Sequence, residues 1–383
     1  MDNLTHSLVG LAAAKAGLER WSPAATTLCV LAANAPDIDV LSVFGGRWAS
    51  LHYHRGITHS IVGALALAIL LPLIFYLVGL LVSRIRGNEN RLKFRKLLLA
   101  SLLVTATHPL MDWTNNYGLR PFLPWDGRWF YGDLVFIADP LIWLALAGAT
   151  FLLTSRTWGQ KTLWTLLWLV TSAGVILLPF RNPNIAIPLA VRVIWFIGLV
   201  SFIIARNTRI AERWGRAIPA LALISIVIYW GALAALHARA LQLAEAEASL
   251  LAVQNGEVLA RVAAMPELGN PLKWRCVAET DRAVYRFDTS LGEINGNHAP
   301  LQRYPKPEGD AAILATRAAQ DWRSKIFLDF ARFPVARVEG DCMTEALVQF
   351  ADIRFTEPGA RGSFALEVRV ECDTENGSGQ GDR

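Results

Sequence analysis

The sequence predicts a mainly α protein: a polytopic helical membrane domain followed by a C-terminal soluble α+β domain. Three observations carry that prediction. Apolar runs of membrane-spanning length recur as far as residue 236. Mean hydropathy is positive, +0.33, and only 18% of residues are charged, against about 25% in an ordinary soluble domain. Beyond residue 263, short alternating stretches replace the continuous apolar runs.

Residues 1–139 read as a metal-site helical domain that includes the first membrane spans. Leu4, Leu8 and Leu11 share one face of a short first helix. Residues 23–35 are apolar but short, and read as a buried or half-inserted helix. Residues 61–82 form a 22-residue apolar run, long enough to cross a bilayer. A shorter run, 97–107, continues helically to Trp113. Residues 140–236 supply further spans at 140–153, 163–178, 188–205 and 218–236. Residues 237–263, rich in Ala, Leu, Glu and Gln, read as an amphipathic linker helix. The soluble domain, 264–372, has strand-like stretches at 273–278, 283–287, 347–355 and 364–371, with a helix over 310–330. In the last strand Phe364, Leu366, Val368 and Val370 share a face. Trp274, Trp322 and the aromatics of 327–333 are expected in its core. Residues 373–383 are polar and Gly-rich and read as a disordered tail.

The net charge is +5, and its placement says more than its size. Arg84, Arg86, Arg91, Lys93, Arg95 and Lys96 crowd the loop 83–96. Arg156 and Lys161 lie in loop 154–162, and four arginines in loop 206–217. Alternate crossings put these loops on one side, which the positive-inside rule makes cytoplasmic. The first 60 residues, the stretch 108–139, the uncharged loop 182–187 and everything after Leu236 then face outward, which in a bacterium means the periplasm or the outer membrane surface. No basic, aromatic-interleaved surface suggests nucleic-acid binding. The N-terminus lacks a basic n-region, so the first spans are expected to direct insertion. None of the four cysteines forms a CxxC pair, which argues against a cysteine zinc site. Cys276, Cys342 and Cys372 could share a disulfide if the tail lies in an oxidising compartment.

The chemistry concentrates near the N-terminus, where five of the seven histidines fall in the first 108 residues. Four elements carry them: Thr5-His6, Asn34 to Asp39, His52 to Ser60, and Thr107 to Asp112. Pro36 is expected to stop the second helix and leave Asp37 and Asp39 in a turn. His59 opens the 61–82 span, with Thr58 or Ser60 as its cap. His108 and Asp112 are four apart and share a helix face. Taken singly, each has an ordinary structural explanation. Together, at the ends of apolar helices, they point to a shared divalent metal. Mixed imidazole and carboxylate donors suit zinc, with manganese or iron as alternatives.

These motifs, Thr5-His6-Ser7-Leu8-Val9-Gly10, then NAPDID, HRGITHS and THPLMD, resemble the YdjM-like membrane-bound metal-dependent hydrolases over roughly residues 1–180. That resemblance implies a bacterial inner-membrane hydrolase. A more distant similarity is to zinc-dependent phospholipase C and related nucleases, whose ordered ligand set falls here on His6, Asp37, His59, His108 and Asp112. The later histidines of that pattern are missing, since no His lies between His108 and His237, so one or two ions are expected rather than three.

The expected function is hydrolysis of an ester, a phosphoester of a lipid or lipid-linked substrate, by metal-activated water. His6, Asp37, His59, His108 and Asp112 are the expected ligands. Asp39 and His54 are a further ligand, a general base or an orienter of an imidazole, and Arg55 a grip on an anionic group or a snorkelling cation. Asn115 and Asn116 either line the pocket or form a turn. The rival is a non-catalytic metal sensor or scaffold, with the outer domain binding a protein partner.

Overall fold

The computed structural model describes residues 1–181, 187–292, 300–340 and 345–371. Helices dominate, and the C-terminal part adds two sheets. The helices are α1 (Asn3–Ala16), α2 (Ala25–Asn34), α3 (Arg47–Tyr53), α4 (Ile61–Ile85), α5 (Phe94–Trp113), α6 (Pro140–Thr154), α7 (Trp158–Ser172), α8 (Leu178–Arg181), α9 (Leu189–Arg206), α10 (Ile210–Trp214), α11 (Ala217–Asn255), α12 (Gly309–Ala318) and α13 (Trp322–Phe330). The strands are β1 (Leu259–Glu267), β2 (Asn270–Thr280), β3 (Ala283–Ser290), β4 (Gln302–Pro305), β5 (Pro334–Glu339), β6 (Glu345–Asp352) and β7 (Ala365–Glu371).

Two compact units result. Met1–Leu41, Tyr53–Arg239 and Met265–Trp274 form the first; Ser42–His52, Ala240–Ala264 and the described part of Arg275–Arg383 form the second. The sequence boundary at 139/140 falls inside the first unit.

In the first unit α1 and α2 form a tight hairpin. Asp2 caps α1 by accepting from the Thr5 amide, 3.0 Å away. Gly10 lets the pair approach: a Cβ there would lie 2.6 Å from the Cys29 carbonyl oxygen. Small side chains, Ala14, Cys29, Ala32, Ala33 and Ala100, fill the seam between this hairpin and α5. The stretch Ala25–Gly45, α4, Trp158–Arg181, α9 and α11 are each long and apolar enough to cross a membrane. The 140–153 run becomes α6, a shorter helix buried on most of its surface, with Ile142, Leu146 and Ala147 in the core. It is an interior helix rather than a lipid-facing span.

The outward placement of the whole N-terminal 60 residues needs correction. The tip of the α1–α2 hairpin lies at the end of the unit where the basic loops gather. Lys15, Glu19 and Arg20 line one cavity with Arg156, Gln160 and Arg216. Ser22 Oγ accepts from the Lys93 amide at 2.9 Å. The reading of residues 23–35 as a buried or half-inserted helix agrees with the packing of α2, whose Ala25, Leu28, Cys29, Ala32 and Ala33 are buried.

No break separates the last span from a linker helix: α11 runs unbroken from Ala217 to Asn255. It ends at Gly256, whose φ of +63° suits glycine. The linker expected to reach 263 has therefore already become β1. Four strands order as β1-β2-β3-β4, and the other three as β5-β6-β7. In the second sheet Val348 sits opposite Val338 on one side and Val368 on the other, both antiparallel. The expected 310–330 helix is two helices, broken at residues 319–321. Phe327, Phe330 and Phe333 are buried as expected, and Trp274 is buried within the first unit. Trp322 is 60% exposed on the first turn of α13, a departure from its expected core position. Cys29 and Cys276 are free, buried thiols. Cys342, Cys372, the tail 373–383 and residues 182–186 of the uncharged loop lie outside the described residues.

Candidate metal centre

Three local structures deliver the acids and imidazoles. Pro36 ends the α-helical geometry of α2 as expected. The chain then continues as a 3-10 stretch, Ala35–Gly45, rather than a simple turn. Its tighter winding leaves both Asp37 and Asp39 beside His59. A second short 3-10 turn, Ile57–His59, precedes α4, and Ser60 caps that helix by accepting from the Gly63 amide at 3.1 Å. Gly63 is required there, because a Cβ would lie 1.8 Å from the Ile57 carbonyl oxygen. On α5, His108 and Asp112 belong to the buried stripe that includes Val104, Thr105 and Met111.

Four donors converge. Ligand atoms of Asp37, His59, His108 and Asp112 all lie within 4.8 Å of one another. His59 Nε2 and His108 Nε2 are 3.1 Å apart. Asp37 Oδ1 is 3.4 Å from each of these nitrogens. Asp112 Oδ2 is 3.3 Å from His59 Nε2 and 3.6 Å from His108 Nε2. Zinc bonds of ~2.1 Å in a tetrahedron put neighbouring donors ~3.4 Å apart. The observed edges bracket that value. Asp112 Oδ2 is buried and makes no hydrogen bond. The Asp37 and Asp112 carboxylates, whose ligand atoms lie within 4.8 Å of each other, repel unless a cation sits between them. The donor set therefore fits a divalent ion.

Residues 1–178, which contain all four donors, match the family described as YdjM inner membrane protein. This region is similar to the YdjM family. A relative in Bacillus subtilis (strain 168), "Uncharacterized protein YfhP", is 28% identical over 155 residues, covering 38% of this chain and 44% of the relative. The match thus spans less than half the length of that relative. No solved structure matches. The YdjM match and the five apolar stretches fit a multi-pass inner-membrane protein.

Around the donors, the same region supplies orienting partners. His59 Nδ1 lies 3.2 Å from Asp39 Oδ2 and 3.1 Å from Thr58 Oγ1. His108 Nδ1 lies 2.6 Å from the Ala33 carbonyl oxygen and donates to it. Both contacts place the ring proton on Nδ1 and leave Nε2 as the donor to a metal. Asp39 is thus an orienter of His59, and its Oδ2 also accepts from the Arg55 amide at 2.8 Å. His54 is only half-buried and sits 3.5 Å from Asp39 Oδ1.

His6 stands beside the quartet rather than in it. Its ring stacks on His108 at 3.7 Å, and its Nε2 is 3.3 Å from Asp112 Oδ1. Neither ring nitrogen makes a hydrogen bond. The Met1 amine also pairs with Asp112 Oδ1.

Arg55 points inward. Its Nη2 donates to Asp112 Oδ1 at 3.1 Å, and its Nη1 to Asn115 Oδ1 at 2.9 Å and the Gly118 carbonyl at 3.2 Å. Burial pulls its guanidinium down to about 10, which leaves it a cation at neutral pH. Both terminal nitrogens are engaged, so it balances Asp112 and neither grips a ligand with a fork nor snorkels to headgroups. Asn115 is buried and also accepts from the Tyr117 amide, serving the turn and the site together. Sequence reasoning missed Thr58 as a partner of His59, the Ala33 carbonyl, the Met1 amine and Tyr117. The Tyr117 ring lies 4.8 Å from the Arg55 guanidinium. A backbone carbonyl leaves no sequence signal, and the others need spatial neighbours to be recognised.

Proposed function

We propose that the YdjM region is a metal-dependent hydrolase that cleaves a phosphoester of a lipid or lipid-linked substrate at the membrane surface. The observation that carries this reading is the quartet of Asp37, His59, His108 and Asp112, whose ligand atoms all lie within 4.8 Å of one another, with His–His and His–Asp separations of 3.1 to 3.6 Å. Zinc is the ion that the donors suit first, then manganese or iron. Bound there, such an ion supplies Lewis acidity and an activated water near neutral pH. The chain's own residues do the rest. Asp39 and the Ala33 carbonyl lock the two imidazoles in their donor tautomers. Arg55 offsets the charge of Asp112. His54, half-buried beside Asp39, would be the group placed to take a proton from a water at the site.

Two features favour a lipid substrate. The acids sit in a stretch whose Ile38, Val40 and Leu41 are more than half exposed, as at an apolar boundary. The donors also lie at the opposite ends of α4 and α5 from the basic loop 83–96, which the positive-inside rule makes cytoplasmic. On that rule we infer that the site lies on the periplasmic face.

Elemental analysis of the purified protein, paired with a phosphodiesterase and phospholipase substrate screen with and without chelator, tests the proposal. The expected result is bound metal and chelator-sensitive hydrolysis, both abolished by His59→Ala and by Asp112→Ala. Unchanged metal stoichiometry in both variants would overturn the assignment.

A further inference from the structure

A cavity of about 500 Å³ lies between α4 and α5, and His59 is the one ionisable residue lining it. That volume is typical of a small-molecule site. Ala64 and Ala68 are buried and form its floor, small enough to leave room where larger side chains would close the helix seam. Its rims belong to the outer surface of the same helices: Ile61, Leu65 and Leu110 are 61%, 50% and 53% exposed. Since α4 is long and apolar enough to cross a membrane, its rim residues Ile61 and Leu65 are suited to face hydrocarbon. The cavity is therefore continuous with the lipid phase on one side and touches a metal-site imidazole on the other. An occupant has to be apolar along its length and can place a polar head only at His59.

We propose that this groove holds one hydrocarbon chain of the substrate, an acyl or isoprenoid tail whose phosphoester head rests at the donor quartet. The assignment of the head rests on the hydrolase reading above; that of the tail rests on the groove alone. A helix from a partner protein would also cover the rims. Contact with His59, a residue of the metal site, favours the lipid chain.

The test uses the full chain in nanodiscs and a non-hydrolysable probe, hexadecylphosphonate with a diazirine at the chain terminus. Labelling that excess unlabelled hexadecylphosphonate suppresses is counted as specific. Ala106→Phe and Leu65→Trp both fill the groove from its open side, where these residues are exposed, so neither disturbs the buried seam. Specific adducts are expected on peptides of α4 and α5 in the wild type. Each variant should lower them roughly tenfold, the equivalent of about two methylenes displaced from contact. Metal content should be the same in all three proteins.

Specific labelling that is unchanged in both variants overturns the groove. So does labelling that no competitor suppresses while the variants alter oligomeric mass, which marks a helix-docking face. The two proposals fail separately. Chelator-sensitive hydrolysis of a water-soluble phosphodiester without specific chain labelling leaves the hydrolase standing and removes the groove. Specific labelling that persists in protein shown to bind no metal keeps the groove and removes the hydrolase.

Discussion

His59 works through both ring nitrogens: Nε2 joins three other donors, and Nδ1 meets Asp39 and Thr58. Removing the second contact should loosen the first. Asp39→Asn keeps the size of the side chain but removes its charge. We expect it to lower metal affinity about 10- to 100-fold, as loss of such a partner does elsewhere. Competition against a chromogenic chelator measures this, and unaltered affinity would show that Asp39 does not orient the ring. At this scale much was legible. His59, His108, Asp37 and Asp112 stand out because ionisable residues flanking apolar runs are costly without a purpose. What could not be read was the division of labour. Asp37 and Asp39 are two residues apart, yet Asp37 Oδ1 faces the two Nε2 atoms and Asp39 faces Nδ1 of His59. Only the side-chain directions decide between donor and orienter. Arg55 is a similar case: an arginine next to a metal motif suggests an anion grip, whereas its neighbours turn it into an internal counter-ion.

At the scale of elements, the site depends on glycines that let backbones meet. Gly63 sits against the carbonyl of Ile57, two residues before His59. Gly63→Ala forces the 3-10 turn away from α4. The expected outcome is a loss of about 1–3 kcal/mol in stability, as for other overpacking changes, together with reduced bound metal. Gly231→Ala is the control, since nothing lies within 4 Å of a Cβ there; it should be neutral or mildly stabilising, by up to about 1 kcal/mol. Thermal unfolding and metal analysis of both variants decide the point, and equal behaviour would remove the claim about Gly63. Helix identity was readable from apolar period and length: α4, α5 and α9 fall close to where the sequence puts them. Helix environment was not. The apolar run of α6 looks like a span, but its neighbours bury it on nearly every side. In α2, by contrast, the short apolar run already reads as a buried or half-inserted helix, and alanines pack it against α1 and α5.

Across the first unit, one end gathers the metal donors and the other gathers the basic loops 154–162 and 206–217. Arg20, at the tip of the α1–α2 hairpin, lies with Arg156 and Arg216 at the basic end. This predicts which residues share a compartment. With native cysteines replaced by serine, Arg20→Cys and Arg91→Cys should resist a membrane-impermeant thiol reagent in intact cells. Arg128→Cys, on an exposed loop following the metal-bearing end of α5, should react. Labelling of Arg20→Cys from outside would refute the shared basic end. The sequence by itself determined the class of the molecule, the helical spans, the strand-bearing tail and the residues capable of holding a metal. These follow from composition, periodicity and the cost of placing ionisable groups beside lipid, all of which are local. Tertiary structure alone decided that α1 and α2 traverse the bundle, that four donors meet while His6 stands beside them, and that an apolar groove reaches His59. Those outcomes depend on which surfaces find one another, and chain-remote packing leaves no mark on any single stretch of sequence.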